Sequence, residues 1–348
     1  MKKKEKMNSM PSPTKKKIAY YASLTLLFSY IEMILPRTIP FFKLGLGNIA
    51  LLLALNLSFS SFLLLSIIKA LASSLMGGTL FSPFFLISLA QSLSSALIMH
   101  LLWNLNKKCR QKLLSLYGIS VAGSCVSAAA QISCCALYLG RGTFALLGPI
   151  LIFNCLTGIL TAFLSRRLSY IPENEGNFDS EKILPDEKGE RKSDSQTKRR
   201  FSPRSQAFMA LSILLAAASV FFIKNLYLLA AVLTASLALQ KCSGRKILLL
   251  PHVSLWIFIF ISSILLPQGK ILVKIWNISV TEGALLTALQ KSLRLSTVSA
   301  LSQCALFLKP PENSLLAMTL SYYRNMSDRF RSSKGSIFQR VKEVISPQ

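Results

Sequence analysis

The groups with which this 348-residue chain could do chemistry are few: 14 acidic residues, 2 histidines and 7 cysteines. His100 and His252 fall in different halves, and no His/Asp/Glu cluster has metal-ligand spacing. Cys134 and Cys135 are adjacent and no CxxC pair occurs, so the cysteines read as small apolar packing residues. No glycine-rich loop ends in GK[ST], so the chain does not hydrolyse ATP in the usual way. Nor is there a DDxxD element of the kind a magnesium-dependent prenyl transferase uses to hold diphosphate. The reading is a protein that is not an enzyme and uses no metal or cofactor.

What remains are ionisable residues in apolar sequence, where each charge costs at least about 2.5 kcal/mol and so asks for a role. Glu32, Lys69, Lys291 and Arg294 are of this kind. Glu32 and Lys69 have the charges to pair across two helices. Arg294 cannot be deprotonated and calls for an interior partner. Lys291 reads equally as a snorkelling side chain or a functional cation. The stretch IPFFKLGLGNIALLLAL, residues 39–55, adds Lys43, Gly45, Gly47 and Asn48 at the mouth of an apolar run. Lys43 offers a cation and Asn48 a neutral hydrogen-bonding group, while the glycines allow a tight turn or close backbone approach. Such a loop suits a lid over a substrate cavity. It suits equally a plain connector in which Asn48 caps a helix.

The elements that position these residues follow from composition. The chain is 52% hydrophobic with a formal net charge of +26 and a mean hydropathy of +0.48. Several windows of about 18 to 23 residues carry almost no charge, the length that crosses roughly 30 Å of hydrocarbon. The fold class is therefore an all-α polytopic membrane protein. The start, KKKIAYYASLTLLFSYIEMIL, lacks a small-x-small cleavage site and reads as a retained first helix. With no soluble domain to carry a basic face, nucleic acid is a poor partner for the charge. The lysines before residue 18, Lys107, Lys108, Arg110 and Lys112, then Arg166 and Arg167, mark the cytoplasmic side instead. The protein is expected in the plasma (inner) membrane, with both termini cytoplasmic.

A basic N-terminus, 1–17, leads into a domain over 18–168 with helices expected near 18–35, 45–57, 59–76, 83–105, 114–139 and 144–165. Residues 169–205 are charged and poor in aromatics, so they read as a disordered linker. A second transmembrane domain, 206–308, has spans expected near 206–223, 226–240, 247–266 and 284–308, with a loop between the last two. The basic tail, 309–348, places Leu315, Leu316, Leu320, Tyr323, Met326 and Phe330 on one stripe, with Arg324, Arg329 and Arg331 towards its polar side. It reads as an amphipathic helix that rests on the bilayer or docks a partner.

The segments IEMILPRTIPFFKLGLGNIALLLAL, IIKALASSLMGGTLFSPFFLISLAQ and GISVAGSCVSAAAQISCCALYLGRGTFALLGPILIFNCLTGILTAFLSRRL resemble the Gx transporter family. That family is also labelled heptaprenyl diphosphate synthase component I, and it is similar to the substrate-binding S components of energy-coupling factor transporters. The resemblance covers about residues 18–168 and implies a six-helix S-component-like bundle. It places Glu32, Lys43, Gly45, Asn48, Lys69, Gly78, Ser82, Gly123 and Gln131 at family positions, with Glu32, Lys43, Gly45, Asn48, Lys69 and Gln131 as substrate-binding candidates. Lysine at 69 and glycine at 47 replace the arginine and alanine frequent in the family. SVTEGALLTALQKSLRLSTVSALSQCALFL and YYRNMSDRFRSSKGSIF more faintly resemble the transmembrane T component. That likeness assigns Arg324, Arg329, Lys334 and Gly335 to coupling with an ATPase, with Ser333, Lys334 and Gly335 standing for an Ala-Arg-Gly motif.

The leading expectation is a substrate-binding and scaffold component of an ATP-driven importer of a small micronutrient or precursor. Its partners would be the bilayer, the small substrate and cytoplasmic ABC-type ATPase subunits. The alternative is a non-catalytic membrane subunit assisting a soluble prenyl diphosphate synthase. A lone secondary transporter ranks last, because the halves show no internal repeat.

Overall fold

The computed structural model describes residues 13–34, 45–109, 114–169, 203–223, 225–242, 249–264, 270–275, 278–304, 311 and 314–345. Lys43, the basic residues Arg110 and Lys112, and nearly all of the expected linker lie outside them. The described residues form an α-helical membrane protein with a single small hairpin.

The first part holds α1 (Pro13–Ile34), α2 (Asn48–Leu53), α3 (Phe59–Gly77), α4 (Pro83–Lys108), α5 (Leu116–Leu139), a 3-10 turn (Arg141–Leu146) and α6 (Leu147–Ser169). Local chemistry sets most ends. Gly78 closes α3 in the left-handed region, φ 66°, and Pro83 opens α4 where its missing N–H costs nothing. Lys107 and Lys108 occupy the last turn of α4, favourable against the negative end of its dipole. The Ser115 hydroxyl caps α5 by accepting from the Gly118 amide.

The second element differs from expectation. Its apolar run was expected to be helical over 45–57, yet only Asn48–Leu53 is α-helix. Six residues rise about 9 Å, far short of a bilayer's roughly 30 Å. Gly45, Leu46 and Gly47 form a turn before it, and residues 54–56 turn after it. Ile49, Ala50, Leu51 and Leu52 are buried in protein instead.

Four stretches are long and apolar enough to cross a membrane: Phe59–Gly77, Pro83–Lys108, Leu116–Leu139 and Arg141–Leu168. Leu86, Leu97 and Leu101 on α4, and Ile152, Leu156 and Phe163 on α6, stand outward as a lipid-facing surface. Helix α1 is the opposite case. From Ile18 to Phe28 every side chain except the half-buried Tyr21 is buried.

Helices α4, α5 and α6 approach through small residues, the usual device where lipid removes any hydrophobic drive between helices. A Cβ on Gly123 would collide with the Met99 side chain, and one on Gly158 would lie 2.9 Å from Val121 Cα. The Ser120 hydroxyl donates to the Gly158 carbonyl at 2.7 Å.

The second part holds α7 (Pro203–Val220), α8 (Leu226–Cys242), α9 (Leu249–Ile264), β1 (Ile271–Ile275), β2 (Ile278–Thr281) and α10 (Glu282–Cys304). The segment expected as a loop between the last two spans is an antiparallel hairpin, with Lys274 opposite Ser279 and Ile275 opposite Ile278. Alternating β-branched residues explain it. Helices α7, α8 and α9 all pack on α10. The block joins the first part where Phe84, Tyr138 and Leu139 meet Ile259, Ala288 and Leu295. The Tyr138 and Phe221 rings meet edge-on at 5.8 Å, and the Phe81 amide donates to Ser302 Oγ at 2.9 Å.

The tail forms α11 (Leu315–Ser332) and α12 (Ile337–Ile345). The expected amphipathic helix is present, but its apolar face is taken by α1 of the same chain. Tyr322, Tyr323, Met326 and Phe330 are buried in one cluster with Ala19, Leu24 and Leu27. Ser23 Oγ reaches Met326 Sδ at 3.3 Å, and Arg331 Nη2 donates to Tyr30 Oη at 3.0 Å. These two links make α1 and α11 run in the same direction.

Candidate functional site: the turn between the first two helices

The Gly45–Asn48 sequence folds as a tight turn because Gly45 accepts φ 68°, a conformation open to glycine at little cost. The Asn48 amide closes the turn on the Gly45 carbonyl at 2.8 Å. Gly47 lies against α1; a Cβ there would sit 3.0 Å from Ser29 Oγ and 3.2 Å from Thr25 Cγ2.

Two charges hold the turn from opposite sides. Glu32 on α1 accepts from the Gly45 amide through Oε1 and from the Leu46 amide through Oε2, each at 3.2 Å. Successive amides aimed at one carboxylate form an anion-binding nest. Lys69 on α3 donates to Asn48 Oδ1 at 2.7 Å. The Asn48 side chain therefore answers a lysine rather than capping α2. Glu32, Asn48 and Lys69 are each half-buried, so the cluster is an electroneutral polar island at the junction of α1, α2 and α3.

The half-buried cations of the second part meet backbone. Arg294 on α10 donates from Nη2 at 2.7 Å and Nε at 3.2 Å to the Ile223 carbonyl just past α7. Lys291, one turn earlier, donates at 2.8 Å to the carbonyl of Leu139, the last residue of α5. Both neutralise the partially negative C-terminal end of a helix. Arg294 thus has the interior partner its charge demands, and Lys291 ties the two parts together.

In the tail, Arg324 is exposed, Arg329 is half-buried and Lys334 is exposed. Gly335, at φ 120°, turns the chain from α11 into α12. Ser336 and Gln339 then form a reciprocal capping box: the Ser336 amide donates to Gln339 Oε1 at 3.0 Å, and the Gln339 amide to Ser336 Oγ at 3.4 Å. Val341 and Val344 return to the α1 cluster, leaving Ile337 and Phe338 exposed. Burial pushes the phenols of Tyr322 and Tyr323 above the ordinary tyrosine value, so both stay neutral at physiological pH. Among the described residues no group of three His, Cys, Asp or Glu side chains could hold a metal ion.

Residues 21–168 match the family model described as heptaprenyl diphosphate synthase component I. That segment is similar to the component I family. Residues 205–307 match a second model, described as a domain of unknown function, DUF8519. No curated protein and no solved structure matches the chain. Its long apolar helices make the protein a membrane-embedded one.

Within the component I segment the sequence candidates sort by place. Glu32, Gly45, Asn48 and Lys69 come together. Gly78 and Ser82 shape the α3–α4 turn, where the Ser82 hydroxyl donates to the Thr79 carbonyl at 2.8 Å. Gly123 serves the α4–α5 contact, and Gln131 stands half-buried on α5 with no hydrogen bond to the cluster. Lys43 lies outside the described residues. Sequence reasoning did not assign the amides of Gly45 and Leu46, nor the carbonyls of Ile223 and Leu139. Backbone groups carry no residue-type signal.

Proposed function

We propose that the chain is a membrane-embedded substrate-binding and scaffold component of an ATP-driven importer, without an ATPase of its own. The component I segment is the substrate-holding domain over 18–168, joined through 169–205 to a T-component-like block over 206–308. The turn pinned by Glu32 and Lys69 anchors the Lys43 loop over the substrate. The observation that carries the reading is the seat of α11 on α1. A helix covalently attached to the second block clasps the first helix of the substrate-holding domain, as a coupling element must. Arg324 and Lys334 stand exposed on and just past it, where they would meet cytoplasmic ATPase subunits.

The apolar residues of α1 and α2, which lipid would otherwise have to cover, are covered by protein.

The test is to purify the full chain in mild detergent, identify released small molecules by mass spectrometry, and repeat with Lys43→Ala and Lys69→Met. A co-purifying polar metabolite lost in the variants, together with captured ATPase subunits, supports the reading; neither ligand nor ATPase rejects it. A second reading is a non-catalytic membrane subunit assisting a prenyl diphosphate synthase, and the description of the matching family favours it. Co-expression with a soluble synthase that alters product chain length decides for that reading.

A further inference from the structure

The two parts of the chain meet at the end of a membrane-crossing stretch. The apolar stretches Leu116–Leu139 and Arg141–Leu168 turn at Gly140, so this corner lies where acyl chains give way to phosphate headgroups. Two cations of α10 converge there. Lys291 donates to the Leu139 carbonyl at 2.8 Å, and Arg294 donates to the Ile223 carbonyl at 2.7 Å. Both acceptors belong to one junction, because the neighbouring rings of Tyr138 and Phe221 touch edge-on at 5.8 Å. A third cation, Arg141, is exposed at the same corner.

These contacts leave positive charge over. Each helix end carries about half a negative charge, so the two carbonyl ends offset only about one of the two charges on Lys291 and Arg294. Neither cation has an ion pair among the described residues. Glu282, which opens α10, stands about 13.5 Å from Lys291 along the helix axis. Donors are left over as well. The ammonium spends one of its three N–H groups on Leu139, and the guanidinium spends two of its five on Ile223. Arg141 makes no hydrogen bond or ion pair among the described residues. All three side chains keep exposed surface. Beside the two acceptors in sequence, Leu137 is 89% and Phe222 is 85% exposed, apolar surface of the kind that acyl chains cover.

We propose that Lys291, Arg294 and Arg141 hold the phosphate of an anionic phospholipid at this junction, its acyl chains lying on the adjoining apolar surface. Unbalanced positive charge selects an anion, and spare N–H donors on three side chains match the several acceptor oxygens of a phosphate. A place at the corner between two spans selects a headgroup over a buried ligand. The lipid touches α10 of the second block and the α5–α6 corner of the first part, and so joins them. The proposal depends on neither reading of the function above.

The test is native mass spectrometry of the purified full chain in a nonionic detergent with added dioleoyl phosphatidylglycerol. One phosphatidylglycerol is expected to bind more tightly than any further copy, and more tightly than phosphatidylcholine, whose phosphate is balanced by its own choline. Lys291→Gln removes the charge but keeps a donor for the Leu139 carbonyl; it should weaken the first binding about fivefold. Arg141→Gln, at an exposed position, should have a similar effect. Arg167→Gln, in the last turn of α6 and so at the other end of that span, should not. Millimolar inorganic phosphate or glycerol 3-phosphate should leave the lipid in place. Displacement by either would assign the cations to a soluble phosphate and reject the lipid. Equal weakening by Arg167→Gln, or affinity unchanged in both Lys291→Gln and Arg141→Gln, would overturn the proposal.

Discussion

The two parts of the molecule handle half-buried charge in different ways. In the component I segment, Glu32 and Lys69 are of opposite sign and grip one turn, from α1 and α3 respectively. In the second block, Lys291 and Arg294 have the same sign and each takes a carbonyl at a helix end. The first arrangement is electroneutral and local; it fixes a loop. The second is cationic and long-range; it fixes how helices abut, including α5 of the other part. Charge in a low-dielectric setting serves here as a fastener, and its sign pattern tells what is fastened.

The largest effect is expected where neither device operates. Gly158→Leu must push a side chain into the Val121 backbone, which cannot swing aside as a side chain can. A loss of about 3 kcal/mol or more is expected, read as failure to elute as a folded species from detergent. Gly148→Ala, where a Cβ meets nothing within 4 Å, should be nearly silent. If both behave alike, the α5–α6 contact is not the close seam described here.

Next comes Arg294→Leu, which leaves the Ile223 carbonyl without its charged donor. The expected cost is about 1.5 to 3 kcal/mol in detergent melting, with Arg294→Lys recovering part of it. A smaller effect, about 1 to 2 kcal/mol, is expected from Glu32→Gln, because one carboxylate oxygen becomes a donor facing an amide. Its signature should be local: faster hydrogen exchange at Gly45 and Leu46 with little change in the second block. An Arg294→Leu change confined to the turn, or a Glu32→Gln change felt across α10, would erase the contrast.

The helical membrane character was legible from apolar length and charge clustering, and the amphipathic tail from its spacing. Glu32, Gly45, Asn48 and Lys69 were legible as a group through family resemblance. Their pairing was not, since Glu32 meets amides and Lys69 meets Asn48. The short α2 was illegible for a physical reason: Ile49 to Leu52 are equally apolar whether lipid or protein covers them. The same ambiguity hid the seat of α11, because a stripe such as Tyr323, Met326 and Phe330 says that something covers it without saying what. The hairpin at 271–281 had its signal in Ile-Leu-Val-Lys-Ile, which assigning the whole connection to an outer loop passed over.

The account depends most on the clasp between α1 and α11. Ser23→Cys with Met326→Cys, in a chain carrying a protease site within 170–202, tests it in native membranes. Oxidation followed by cleavage should leave the two fragments joined on a non-reducing gel and free after reduction. Fragments that separate despite oxidation would mean that the tail helix is not held by the first helix, and the scaffold reading would fall with it.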